Sequence, residues 1–175
     1  MPRPKPDRDA LLEGLADHVL AHGLAAASLR PLAASVGTSD RMLIYHFGSK
    51  DALIAAILER LARRMATGLD AALPAQVLPC EADLIAAVIA LMRAPEVRPF
   101  MGLWFDILSM SRHAGGIPDG VGLAIFDIFR DWITRRHPDG LAGSERTLAL
   151  IEGLLVIDAA GASGMVDRVV AALPR

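Results

Sequence analysis

Apolar residues recur at three- and four-residue spacing along nearly the whole chain, and no stretch alternates apolar with polar residues in the β-branched manner of a strand. That periodicity dictates an all-α fold. Punctuation by capping residues, glycine and proline divides it into segments. The first helix is expected over Arg8 to His22, with Asp7 as cap, a stripe of Leu11, Leu12, Leu15, Val19 and Leu20, and Gly23 as a left-handed stop. A second helix follows Ser28 and ends at Gly37, with Pro31 in its first turn, where a missing N–H does little harm. A very short third helix begins after Thr38 and Ser39 and stops at Gly48. A fourth begins at Ser49 and carries Leu53, Ile54, Ile57, Leu58 and Leu61. Pro74 and Pro79 bracket a linker. Glu81 to Arg93, Val97 to Arg112, Val121 to Arg136, Ser144 to Gly161 and Met165 to Leu173 then form the helices of a body.

The order from Ser28 to Asp51 is cap, helix, glycine-containing turn, cap, short helix, glycine stop, cap, helix, the layout of a helix-turn-helix whose second helix enters the major groove. At about 100° per residue, Leu43 and Phe47 share the buried side of the short helix, so Arg41, Met42 and Tyr45 point away. A guanidinium, a soft apolar chain and an aromatic ring are groups that read base edges, thymine methyls and groove walls. Lys50 is one of two lysines against sixteen arginines. It sits in the first turn of the next helix, where a cation opposes the helix dipole unless a phosphate is bound there.

The residues Leu32-Ala33, Val36-Gly37, Ser39, Leu43, His46-Phe47, Ser49-Lys50 and Leu53, after Gly23-Leu24 and Ser28-Leu29-Arg30, resemble the tetracycline-repressor (TetR) family over roughly residues 8 to 60. The resemblance implies a homodimeric repressor released from operator DNA by a ligand. Carried over by position, Ser39, Asp40, Arg41 and Met42 lie at the base-reading end, Tyr45 and His46 face DNA walls or phosphate, and Lys50 binds phosphate. Ile44 stands where the family commonly has Tyr, so that phosphate-bonding hydroxyl is absent and Tyr45 is its candidate replacement. Arg41 stands where a small residue is common and implies an unusual operator preference.

The body carries more apolar bulk than single stripes can use. Ser144 to Gly161 is apolar around nearly its full circumference, which calls for cover on two sides. Doubled by two-fold symmetry with Val121 to Arg136, it makes a four-helix dimer seam. Ile125, Phe129, Trp132, Leu148, Ile151, Leu154 and Leu155 are its expected residues, with Ala149, Gly153, Ala159 and Ala160 permitting close approach. In Val97 to Arg112, the residues Phe100, Met101, Trp104, Phe105, Leu108 and Met110 suit a site for an apolar small-molecule effector, with Asp106, Arg112 or His113 to orient it. Residues 1–48 therefore read as the DNA-binding domain, 49–74 as a connecting helix and 75–175 as the helical ligand-binding and dimerisation domain.

Composition sets bounds on this reading. The net charge is −2, divided as nine Lys/Arg against seven Asp/Glu over residues 1–65 and nine against thirteen beyond. That permits a DNA-facing N-terminal part without identifying one. One cysteine, Cys80, allows no internal disulfide and suits a reducing, cytoplasmic compartment. The longest apolar run, Leu84 to Met92, is too short to span a membrane. No phosphate loop, dinucleotide fingerprint or nucleophile elbow is present. His18 and His22 have metal-ligand spacing but no carboxylate to complete a site, and Asp127 and Asp131 read as ion-pair partners of Arg130 and Arg135. Neither an enzyme nor a cofactor is expected. A helical small-molecule carrier without DNA binding and, behind it, a small helical enzyme are the competing classes, and salt-dependent DNA binding separates them from a regulator.

Overall fold

A computed structural model describes residues 7–73, 75–111 and 117–175. The expected linker proline Pro74 and the candidate effector ligands Arg112 and His113 lie outside the described residues. Among the described residues every regular element is helical: α1 Arg8–His22, a 3-10 turn Leu24–Ala26, α2 Leu29–Ser35, α3 Asp40–Phe47, α4 Lys50–Ala72, α5 Glu81–Met92, α6 Arg98–Met110, α7 Val121–Thr134, α8 Leu141–Ala159 and α9 Ser163–Ala171. The chain divides into two compact units, residues 1–64 with 99–125, and residues 65–98 with 126–175.

In the first unit, α1 packs on α2 and α2 on α3. Leu11, Leu12, Leu15, Ala16 and Val19 form the buried stripe of α1, so Ala16 takes the place expected of Leu20, which is half-exposed. Leu32, Leu43 and Leu53 are fully buried around them. Gly14 lets α1 approach closely, since a Cβ there would stand 2.9 Å from Val36 Cγ1. Gly23 ends α1 at φ 76°, as a stop glycine should, although its ψ of 173° places it outside the left-handed helical region. Arg60 reaches Glu13 at 2.6 Å and Asp9 at 3.3 Å, and Arg64 reaches Asp17 at 2.7 Å, so half-exposed ion pairs fasten α4 to α1.

In the second unit, α5 and α9 both pack on α8. α8 begins at Leu141, three residues before the expected start, with Gly143 inside its first turn rather than in a linker. A Cβ on Gly143 would come within 2.0 Å of the His137 ring, so only glycine lets that buried imidazole lie against the helix. Arg93, after α5, grips Asp158 through Nε at 3.1 Å and Nη2 at 2.7 Å, and Asp167 of α9 at 2.7 Å. The Arg93 hydrogen bond, with a smaller contribution from Ser163, holds the Asp158 carboxyl below the usual carboxylate range. A depressed carboxyl pKa stabilises the fold above the unfolded value and stops doing so as pH falls through the folded one. Arg93→Ala should therefore lower the urea midpoint at pH 7, and the deficit should shrink below about pH 4. A deficit independent of pH would show that Arg93 acts by packing alone.

Candidate nucleic-acid interface

Three short stretches of local chemistry set the geometry of this site. The Ser39 hydroxyl accepts from Met42 N–H at 3.3 Å and opens α3, and the Ser49 hydroxyl accepts from Ala52 N–H at 3.0 Å and opens α4. Between them Gly48 closes α3 at φ 85°, a conformation that residues with a Cβ rarely adopt. Ser28, also expected as a cap, occupies the N-cap position of α2 but makes no side-chain capping bond. Pro31 fills the third helical position and has no N–H to donate, which leaves only the Arg30 N–H of the two usual donors, and Ser28 does not take it.

α3 turns Leu43 and Phe47 inward and buries both. Burial of two such side chains, worth about 1.5–3 kcal/mol each, holds an eight-residue helix that would not persist alone. The opposite face carries Arg41, exposed, and Tyr45, 74% exposed. Met42 is half-buried, so it is presented less fully than Arg41 and Tyr45, its expected companions on that face. His46 is half-buried, its ring edge-on to Tyr45 with centroids 5.3 Å apart, and its Nε2 has no hydrogen-bond partner among the described residues. Asp40 stands exposed in the first turn of α3, and Lys50 exposed at the start of α4. Neither Arg41 nor Lys50 enters an ion pair among the described residues, whereas Arg60, Arg64, Arg93, Arg130, Arg136 and Arg146 all do. Ser39, Asp40, Arg41, Met42, Tyr45, His46 and Lys50 are thus brought together on one short helix and its two flanking turns.

One basic residue of this region carries no signal in the sequence. Arg8, at the start of α1, donates from Nε to the His46 carbonyl at 3.3 Å, and its guanidinium carbon lies 5.0 Å from the Phe47 ring centroid. Thirty-eight residues separate it from its partner, so nothing in the local pattern announces the contact.

Among the described residues, those expected to bind an effector fall on α6. Trp104 is buried there, while Phe100, Met101, Phe105, Leu108 and Met110 are half-buried and Asp106 is exposed. The expected seam residues Ile125, Trp132, Leu148, Ile151, Leu154 and Leu155 are all buried within the chain, and Phe129 is half-buried. The outward side of α8 is instead Ala149, Gly153 and Val156, the last 52% exposed, and α9 adds Met165 and Val169. His18 and His22 stack with centroids 4.4 Å apart, and Arg130 pairs with Asp127 at 2.7 Å and Asp131 at 3.2 Å. Among the described residues no group of three or more His, Cys, Asp or Glu could hold a metal ion, and no helix is long and apolar enough to cross a membrane.

Residues 11–57 match the family model described as bacterial regulatory proteins, tetR family. Similar curated proteins include the HTH-type transcriptional repressor Rv3405c of Mycobacterium tuberculosis (strain ATCC 25618 / H37Rv) and the HTH-type transcriptional regulator Mb3439c of Mycobacterium bovis (strain ATCC BAA-935 / AF2122/97). Each is 31% identical over 81 residues, covering 46% of this chain and 43% of the relative. The match therefore spans less than half the length of these relatives.

Proposed function

From the match of residues 11–57 to the model of tetR-family bacterial regulatory proteins, we propose that the chain is a transcription regulator of that family, not an enzyme, acting as a repressor on inverted-repeat operator DNA. The observation that carries the proposal is the outer face of α3. Arg41 and Tyr45 stand there exposed, on a helix fixed from behind by Leu43 and Phe47. Arginine in the major groove pairs bidentately with guanine O6 and N7. Asp40, Met42, Tyr45 and His46 flank it, Ser39 holds the start of the helix, and Lys50 meets the backbone.

Substitution separates these roles. Arg41→Ala should cost roughly 1–3 kcal/mol on the preferred site and relax the preference at one base pair per half-site. Lys50→Ala should weaken all sequences alike and lower the slope of log K against log salt by about one unit per subunit. Selection of fragments from random DNA, followed by titration on selected and scrambled duplexes, reads both. Equal losses on both duplexes for Arg41→Ala would make it a phosphate contact only, and salt-independent binding by the wild type would remove the regulator reading.

The active species is a homodimer in this reading, supported by the exposed apolar and small residues Ala149, Gly153 and Val156 of α8 with Met165 and Val169 of α9. A small apolar effector is assigned to α6, which carries Phe100, Met101, Phe105, Leu108 and Met110 half-exposed and Trp104 buried. Linkage requires the effector to bind the DNA-competent and DNA-free conformations unequally.

A further inference from the structure

Arg8 is fastened to the C-terminal end of α3, the helix proposed above to read DNA. Its Nε is spent on the His46 carbonyl at 3.3 Å, a group of the last helical turn with no intrahelical partner, and the Phe47 ring lies 5.0 Å from its guanidinium carbon. Both contacts orient the guanidinium without neutralising it. Asp9, the neighbouring carboxylate, is taken by Arg60, and Arg8 enters no ion pair among the described residues. The residue is exposed, and its two terminal nitrogens make no hydrogen bond among the described residues. α3 ends at Phe47 and, past Gly48 and Ser49, Lys50 stands exposed at the start of α4, a second cation with no ion pair among the described residues. A planar fork held by one nitrogen and a ring, on an exposed residue whose remaining donors make no hydrogen bond among the described residues, is suited to a phosphodiester, which accepts two parallel hydrogen bonds.

We propose that Arg8 contacts a DNA backbone phosphate and, with Lys50, seats the C-terminal end of α3 against the strand bordering its groove. The proposal rests on the DNA-reading role of α3. Because the same guanidinium also holds the His46 carbonyl, it joins the register of α1 to that of α3 on the duplex, a coupling that a free surface cation could not make.

The test is the salt dependence of operator binding by the full chain. Each phosphate contact contributes about 0.9 to the slope of log K against log salt. Arg8→Ala should lower the slope by about one unit per subunit while the selected operator sequence stays the same. The double variant with Lys50→Ala should lower it by about two. If Arg8→Ala does not fold, Arg8→Gln is measured in its place, since it keeps an amide donor for the His46 carbonyl and loses the charge. An unchanged slope in the folded variant, with affinity and thermal stability both reduced, would make Arg8 a helix cap alone and overturn the proposal. A wild type without salt-dependent DNA binding would overturn the regulator reading itself, and is distinguished by needing no variant.

Discussion

Arg136→Ala should destabilise the chain by about 3 kcal/mol, seen as a lower urea midpoint with little change in slope. The side chain is wholly buried. Its Nε and Nη2 donate to the Leu73 carbonyl at 3.1 and 2.7 Å, Nη1 donates to the Trp132 carbonyl at 2.9 Å, and Nη2 also meets the Asp70 carboxylate. The guanidinium carbon lies 3.8 Å from the Trp132 ring centroid, within cation–π range. Leu73 follows the last residue of α4, so its carbonyl has no partner within the helix, and a cation at this end also complements the helix dipole. Alanine would remove all of these donors at once and leave a cavity on the indole face. The Asp70 carboxylate is 44% exposed and can turn to water, which keeps the expected loss at the lower end of the range for a broken buried pair. Asp70→Asn keeps an acceptor for Nη2 but takes the carboxylate from a wholly buried cation, so it should cost about 1–3 kcal/mol, less than the loss of the arginine itself. A loss below 1 kcal/mol for Arg136→Ala would mean that water replaces the guanidinium without penalty.

Gly153→Glu combined with Val156→Glu should give a folded monomer that has lost operator binding by at least about a hundredfold, although α3 is untouched. Both positions face outward on α8, and a Cβ on Gly153 would meet nothing within 4 Å, so the isolated chain has room for the new side chains. A symmetric seam on this face would have to bury four unpaired carboxylates, two from each subunit. Operator affinity follows, because one short recognition helix reads only a few base pairs and two are needed to select a site in a genome. Sedimentation of wild type and variant, with near-identical melting curves, isolates the effect. Leu154→Glu or Leu155→Glu would not, since both leucines are buried within the chain and their replacement would unfold it. A wild type that sediments as a monomer at micromolar concentration would refute the dimer.

How much of this was open to sequence reasoning depends on the range of the interaction involved. Helix existence, the stops at Gly23 and Gly48, the caps Ser39 and Ser49 and the inward turn of Leu43 and Phe47 follow from contacts three or four residues apart. Those contacts repeat with the helix period, so the outer face of α3, and with it Arg41 and Tyr45, was legible before any fold was known. Even here one expected cap, Ser28, makes no side-chain bond, and Pro31 removes one of the two N–H donors it could have used.

Tertiary structure decided the rest. α8 is apolar nearly all round, and a helix without a polar side does not reveal which of its faces its own chain will cover. Only the packing of α5 and α9 against it buried Leu148, Ile151, Leu154 and Leu155 and left Ala149, Gly153 and Val156 outside. Arg8, Arg93 and Arg136 read alike in sequence as arginines near helix ends. Their partners lie 38, 65 and 63 residues away, and chain folding alone made one a collar on α3, one an ion pair and one a buried cap. The sequence by itself thus determined the helices and the outer face of α3, because hydrogen bonds and side-chain periodicity within a helix are local. Which faces meet, and which charges end up buried or free, came only with the tertiary fold, because those contacts join residues that no local pattern connects.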